Sequence, residues 1–316
     1  MKRARRPAHP LLTLAISALS GAALALSARG AAADAAGFAF LEVPAGARAS
    51  ALGGAYASMA RGVEATYWNP SGLAALSSVE LEASHVEFLQ TLRDDQFAVA
   101  SRRFGGGLAA SVRAQYSEPI PERDELGNLL GTFGAHDLEF ALAYGRSLGG
   151  ALSLGASAKY VRERIANASA GTYAFDLGAG WQPGGLAGLR LGLAAQNLGP
   201  SAAFTIDGEK GAPVPLPLAV QGGGSFAISI GPTLSLRPAL EARVTRGRTV
   251  VGLVGAELAA AGTGAALRLG TRLNDQATSF GMGAGYERGA MRFDYAFVPY
   301  HDDLGDTHRF SLAAKF

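Results

Sequence analysis

The chain has 316 residues, with 43 glycines, 17% charged residues and a net charge of +2. Glycine at roughly twice its ordinary share, with charge below the ordinary quarter, argues against a disordered chain and an ordinary soluble enzyme, and the near-neutral balance gives a nucleic-acid partner no bulk electrostatic support. The absence of cysteine excludes a disulfide framework, a thiolate zinc site, a thiol nucleophile and a lipidated cysteine behind an export signal.

Lys2, Arg3, Arg5 and Arg6 precede an apolar stretch from Leu11 to Leu26, which gives way to small residues ending at Ala31, Ala32 and Ala33. Charge, apolar run and small residues in that order form a secretory signal. Residues 1–33 are therefore read as a signal peptide cleaved after Ala33. The competing reading, a retained anchor, has an apolar run shorter than the ~20 residues a spanning helix needs.

Residues 34–78 lack strand periodicity and precede the first strand. They are expected to form a plug inside whatever the later strands enclose; the other reading is a mobile tail. Arg48 to Met59 is alanine-rich and supports a short helix, which Gly53 and Gly54 interrupt through their backbone freedom.

From Val79 onward apolar residues recur at every second position, the signal of strands with one greasy face. Leu138, Phe140, Leu142 and Tyr144 show it, as do Tyr173, Phe175 and Leu177, then Met291, Phe293, Tyr295 and Phe297. Strands are placed at 79–89, 96–104, 107–117, 136–147, 151–162, 172–182, 188–198, 216–228, 233–244, 249–258, 264–273, 279–287, 290–298 and 306–316. Their even count and near-uniform length fit an all-β transmembrane class, a 14-stranded antiparallel outer-membrane barrel over 79–316. A soluble sandwich needs no such uniformity.

Connections alternate as a barrel requires. The turns at Gly105 and Gly106, Gly149 and Gly150, Ser229 to Pro232 and near Gly289 are tight, whereas 118–135 and 199–215 are long, polar and on one predicted side. The connections at 90–95, 245–248 and 274–278 fall on that side too and are shorter.

The residues between the greasy ones should line the lumen. They include Arg113, Lys159, Arg190, Arg237, Arg243, Arg268, Arg272, Arg292 and Arg309 against Asp137, Glu139, Asp176, Glu241 and Asp294, which predicts a basic interior able to hold an anionic head group. Gly155, Gly178, Gly192, Gly270, Gly281, Gly283 and Gly285 also face inward, as glycines do where another backbone comes close. Fourteen strands enclose more space than side chains fill, so the plug is expected there, with Arg48, Arg61 and Glu64 available to pair with lumenal charges.

Two motifs carry a family resemblance. The first runs through Phe40, Leu41, Gly46, Arg48, Leu52, Gly53, Gly54 and Tyr56 to Tyr67, Trp68, Asn69, Pro70, Ser71 and Gly72; the second through Asp294, Tyr295, Phe297, Pro299, Tyr300, Arg309, Phe310 and Phe316. Together they resemble the PorV/PorQ-type outer-membrane proteins, over essentially the whole chain after the signal. The resemblance implies a FadL-like barrel of fourteen strands with an N-terminal plug whose motif residues are Arg48, Gly53, Gly54, Tyr56, Trp68, Asn69 and Pro70. It also implies that Phe310 and the terminal Phe316 serve recognition by the barrel-assembly machinery. Arg61 and Gly62 stand where the family often has acidic residues, so a plug salt bridge is not carried over there.

Catalytic signatures are missing: no GxSxG, HExxH or GxxxxGK[ST] occurs, and the loose G-x-G-x-x-A at Gly105, Gly107 and Ala110 leads into a strand rather than a helix. His301, Asp302, Asp303 and His308 lack helical metal-ligand spacing and read as a polar loop. No cofactor and no enzymatic activity are expected. Two roles remain open, each with outer-membrane lipid as surroundings: passage of hydrophobic small molecules, or an accessory role in type IX secretion with cargo bound by the outer loops.

Overall fold

The computed structural model describes residues 37–88, 92–149, 151–301 and 305–316; the expected signal, 1–33, lies outside them, as do Asp302 and Asp303. Nineteen strands follow in chain order: β1 (Glu80–Glu87), β2 (Leu92–Arg103), β3 (Gly106–Ser117), β4 (Ile120–Arg123), β5 (Leu129–Phe133), β6 (Ala135–Ser147), β7 (Leu152–Ile165), β8 (Ala168–Trp181), β9 (Leu189–Leu198), β10 (Ala202–Ile206), β11 (Glu209–Val214), β12 (Ala219–Phe226), β13 (Ile228–Ile230), β14 (Leu234–Thr245), β15 (Val251–Ala260), β16 (Ala265–Leu273), β17 (Phe280–Arg288), β18 (Met291–Pro299) and β19 (Asp306–Lys315). β4–β5 and β10–β11 are hairpins within the two long connections, and β12 and β13 are one wall strand interrupted at Ala227. The rest form a closed 14-strand antiparallel barrel. Closure comes from β1 on β19, with Glu80 opposite Lys315 and Glu87 opposite His308, and from hydrogen bonds in both directions between Val79 and Phe316.

The barrel is inside-out relative to a soluble fold. Leu142, Tyr173, Leu240 and Leu267 are 63 to 66% exposed on its outer face, while Asp94, Asp294 and Arg309 are 0% exposed within. A soluble protein does not cover itself in leucine and bury its carboxylates; a wall of alternating residues between lipid and a polar interior does. Leu142→Arg is therefore expected to destabilise the barrel by ~2–4 kcal/mol, the cost of a charge near the bilayer midplane. Equilibrium unfolding in lipid vesicles measures this, and a change within ~0.5 kcal/mol would contradict lipid contact at that face.

The tight turns at 104–105, 231–233 and 289–290 lie at one end and both hairpin-bearing connections at the other, so the turn end faces the periplasm. The long connections, expected as long polar loops on one side, lie on one side and carry hairpins of their own. β2 begins at Leu92 and β8 at Ala168, four residues earlier than their periodicity indicates. There the strands extend above the greasy band, and outward residues such as Arg93 and Asp95 give no apolar signal.

Residues 37–76 fill the lumen from the hairpin end to the turn end. At the top Phe38 stacks on Phe204 of β10, ring centroids 6.3 Å apart, and donates its N–H to the Glu163 carboxylate at 2.7 Å. Below follow the short helices α1 (Ala47–Ala51) and α2 (Ala65–Trp68) and a 3₁₀ turn at Pro70–Ala75. α1 stops because Gly53 and Gly54 adopt φ of +64° and +82°, the left-handed region that glycine tolerates. At the bottom Leu76 packs beside Gly107. Wall glycines make room for this segment: a Cβ at Gly155, Gly178, Gly192, Gly270 or Gly281 would strike plug backbone or the Asn69 amide.

Candidate functional site: the plugged lumen

The plug motif meets the wall through charge. The Arg48 guanidinium donates to both oxygens of Glu257 on β15, at 2.8 and 2.9 Å, and lies 3.4 Å from Glu64. Arg237 and Arg268 also reach Glu257, at 3.0 and 2.8 Å, so three guanidiniums share one carboxylate. Arg268 continues to Asp294, which pairs with Arg292, which returns to Glu64 at 3.0 Å. Burial alone would raise the Glu64 carboxyl, but Arg292, Arg48 and the Tyr56 hydroxyl hold it below the ordinary range.

Hydrogen bonds fix the rest. Glu241 on β14 accepts the N–H groups of Ala57 and Ser58 and the Ser58 hydroxyl at 2.7–3.0 Å. Trp68 is buried, packs edge-on against Tyr56 with centroids 5.8 Å apart, and donates its indole N–H to the Ala45 carbonyl. Asn69 binds the carbonyls of Ala57 and of Ala179 on β8, while its own oxygen accepts from Ser71 and caps the turn that Pro70 begins. Gly53 passes so close to the Thr271 backbone that a Cβ would lie 2.9 Å from its nitrogen, and its carbonyl accepts from Arg272.

The nine lumenal cations fall into three groups. Arg113, Lys159, Arg237, Arg268, Arg272 and Arg292 each pair with a carboxylate: Asp94, Asp176, Glu257, Glu257, Asp275 and Glu64, in that order. Arg309 is fully buried and donates to neutral acceptors, the Pro44 carbonyl and the hydroxyls of Ser50 and Tyr300. Arg190 lies beside the amide of Gln182, and Arg243 makes no hydrogen bond or ion pair among the described residues. The expectation of a broadly basic interior is corrected. Asp94, Glu82, Glu163 and Glu257 face inward as well, so positive charge survives only at particular positions. Of the plug charges, Arg48 and Glu64 meet wall partners, whereas Arg61 is exposed near Gln182.

The plug leaves a cavity at each end. The outer one, about 380 Å³, has Gly54, Trp68 and Gln221 at its floor and Arg243, Arg248 and Tyr300 higher up. The other, about 980 Å³ and open, lies between the periplasmic ends of β15–β18 and is lined by Arg48, Glu257, Arg268 and Arg292. The segment from Arg48 to Gly54 lies between them.

A closed barrel of this shape has solved counterparts. The toluene transporter TbuX of Ralstonia pickettii matches with a TM-score of 0.59 and 15% identity, covering 86% of this chain and 98% of that one. The P. putida toluene transporter TodX gives 0.60 at 11% identity over 86% and 98%, and a Pseudomonas aeruginosa FadL homologue gives 0.51 at 11% identity over 87% and 98%. The fold is FadL-like. No family model matches the chain, and no curated protein matches it.

In this FadL-like frame the C-terminal residues sit at the wall. Phe310 faces lipid against Tyr295 and Phe293, and Phe316 is exposed while its backbone closes the ring on Val79. Tyr160 and Tyr173 pack together, centroids 5.4 Å apart, on the outer face. Of the polar loop residues, His301 bonds Ser279 and His308 bonds Tyr295, and no cluster of metal-binding side chains occurs among the described residues.

Proposed function

We propose that this barrel passes hydrophobic small molecules across the outer membrane and that the plug gates the passage. The observation that carries the reading is the pair of cavities at opposite ends, parted by a plug segment that ion pairs and hydrogen bonds tie to the wall beside its apolar packing. The FadL-like fold supports it, since solved chains of that shape are toluene transporters and a monoaromatic hydrocarbon channel. No step requires catalysis, and the reading is non-enzymatic.

Locking the plug tests it. A Cβ at Gly255 would lie 3.3 Å from that of Ala55, close to the roughly 3.5–4.5 Å of a disulfide, and 2.8 Å from the Leu52 carbonyl oxygen, so the reduced double variant, which must first match wild-type uptake, is the control; the chain has no other cysteine to interfere. In the Ala55→Cys/Gly255→Cys double variant, toluene uptake should stop under oxidising conditions and return with reductant. Uptake indifferent to the cross-link would remove the gate from the proposal, and a deletion strain with unchanged uptake would remove transport.

A second reading, an accessory of type IX secretion of the PorV kind, is favoured by the two end motifs and by the hairpins β4–β5 and β10–β11 at the outer end. Co-purification with secreted cargo tests it. A barrel that brings down none in cells possessing the translocon would dispose of it.

A further inference from the structure

At the turn end the plug and the wall bring two cations onto one neutral atom. Arg190 Nε, near the start of β9, and Arg61 Nη2, on the plug, both donate to the amide oxygen of Gln182 at 2.7 Å, so the two nitrogens lie no farther apart than twice that distance. No carboxylate pairs with either guanidinium among the described residues. The charges that act most strongly on Arg190 are those of Arg61, Arg237 and Arg48, all cations. Glu257 answers Arg237 and Arg48, whereas Arg61 and Arg190 have only the amide. Like charges this close repel, and the positive potential is left for an anion to neutralise.

The backbone holds Arg61 in place. The Ala60 N–H donates to the Tyr56 carbonyl at 2.8 Å and the Val63 N–H to the Glu80 carboxylate at 2.9 Å, with Gly62 at a φ of +64° between them. Beside the pair lies a recess of about 230 Å³, bounded by Ser71 on the plug and by Ser153 and Gly180 on the wall. Gly180 keeps it open, since a Cβ there would come within 2.8 Å of the Ser153 hydroxyl and 3.0 Å of the Ser71 hydroxyl. The recess is smaller than the roughly 300–1,000 Å³ of drug-sized sites, and its polar walls suit a compact head group rather than a hydrocarbon. One guanidinium fork already satisfies both oxygens of a carboxylate, whereas a tetrahedral phosphoryl group has oxygens for two.

We propose that this periplasmic recess binds a phosphoryl anion, held by Arg61 from the plug and Arg190 from the wall. Free phosphate and the phosphodiester of an inner-leaflet lipid share that chemistry. Bound there, the anion latches the lower loop of the plug to β9. Binding stands on the recess alone, whereas the latch rests on the reading of the plug as a gate.

Calorimetry on the full barrel in uncharged maltoside micelles tests it, with inorganic phosphate and short-chain phosphatidylglycerol titrated separately and empty micelles as the blank. One or both should bind saturably: phosphate alone assigns the site to the free anion, phosphatidylglycerol alone to the lipid headgroup. Arg61→Gln and Arg190→Gln should each weaken binding by about tenfold or more, and Arg61→Lys should retain part of it. Arg146→Gln, which removes a cation from the outer face at the same end, should change nothing. Gly180→Val should abolish binding by filling the recess. Arg61 is exposed, so its variant decides the matter even where Arg190→Gln or Gly180→Val fails to assemble. Neither ligand binding, or equal binding by wild type and Arg61→Gln, would overturn the site. In proteoliposomes the saturating ligand should slow toluene uptake through wild type and not through Arg61→Gln. Binding that depends on Arg61 with uptake unaffected would remove the latch, and vesicles that pass no toluene at all would remove the transport reading while leaving the site.

Discussion

Glu257→Gln is expected to destabilise the protein by ~3–5 kcal/mol, the cost of removing one partner from a buried ionic group. The substitution keeps volume but removes the charge shared by Arg48, Arg237 and Arg268, which approach at 2.8, 3.0 and 2.8 Å. Three guanidiniums would then crowd an amide that offers one acceptor oxygen and turns two donors toward them. Arg48 is the only one of the three on the plug, so the defect should appear there first. Trp68 emission in a Trp181→Phe background should shift to the red at denaturant concentrations below those that open the wall. Adding Arg48→Gln should recover part of the loss, because groups that share one network do not add. A single variant as stable as wild type, or a double variant showing simple additivity, would mean that Glu257 does not hold the plug.

Gly270→Val should unseat the plug while leaving the barrel closed. A Cβ at this position would run into the Leu52 carbonyl carbon and the Gly53 nitrogen. β16 cannot retreat, since it is hydrogen-bonded to β15 on one side and β17 on the other, so the plug must move. Overpacking of a tight site costs typically ~1–3 kcal/mol, and here backbone meets backbone with no rotamer to relieve it. The variant should keep its heat-modifiable mobility on a gel, expose the Leu52–Gly54 segment to protease and raise single-channel conductance. Unaltered conductance and protection would show that the seat tolerates a side chain. Gly53→Val approaches the same contact from the plug and adds a strained positive φ, so it should behave at least as badly.

The wall was legible because lipid imposes one rule on every strand: greasy outward, anything else inward. That rule fails where its cause is absent. The ends of β2 and β8 rise above the greasy band, and β4–β5 and β10–β11 lie beyond it, so their strands carry no periodic apolar signal. Glu257 was missed among the lumenal acids for a related reason. On β15 the inward residues before it are Val251, Leu253 and Gly255, the first two packed on the plug's apolar cluster and the third against Leu52, so alternation there gives no hint of which side is inside. Asp94 fell in a stretch read as a connection. The inward glycines are more informative than the charges, because a missing Cβ in a strand marks a bend or a close backbone, whereas an arginine faces an acid, a carbonyl or an open cavity alike. Only the geometry separates Arg243 from its paired neighbours.

The plug is tied to both extremes of the chain's wall, to β1 through the Val63 N–H on the Glu80 carboxylate and to β19 through Arg309 on the Pro44 carbonyl. A finished cylinder would have to admit some forty residues end-on, past side chains already committed to one another. Biogenesis must therefore run the other way: the sheet curls around a leader that has already collapsed, and the seam between first and last strand is the final stitch. A cell that makes this protein cannot install its stopper afterwards.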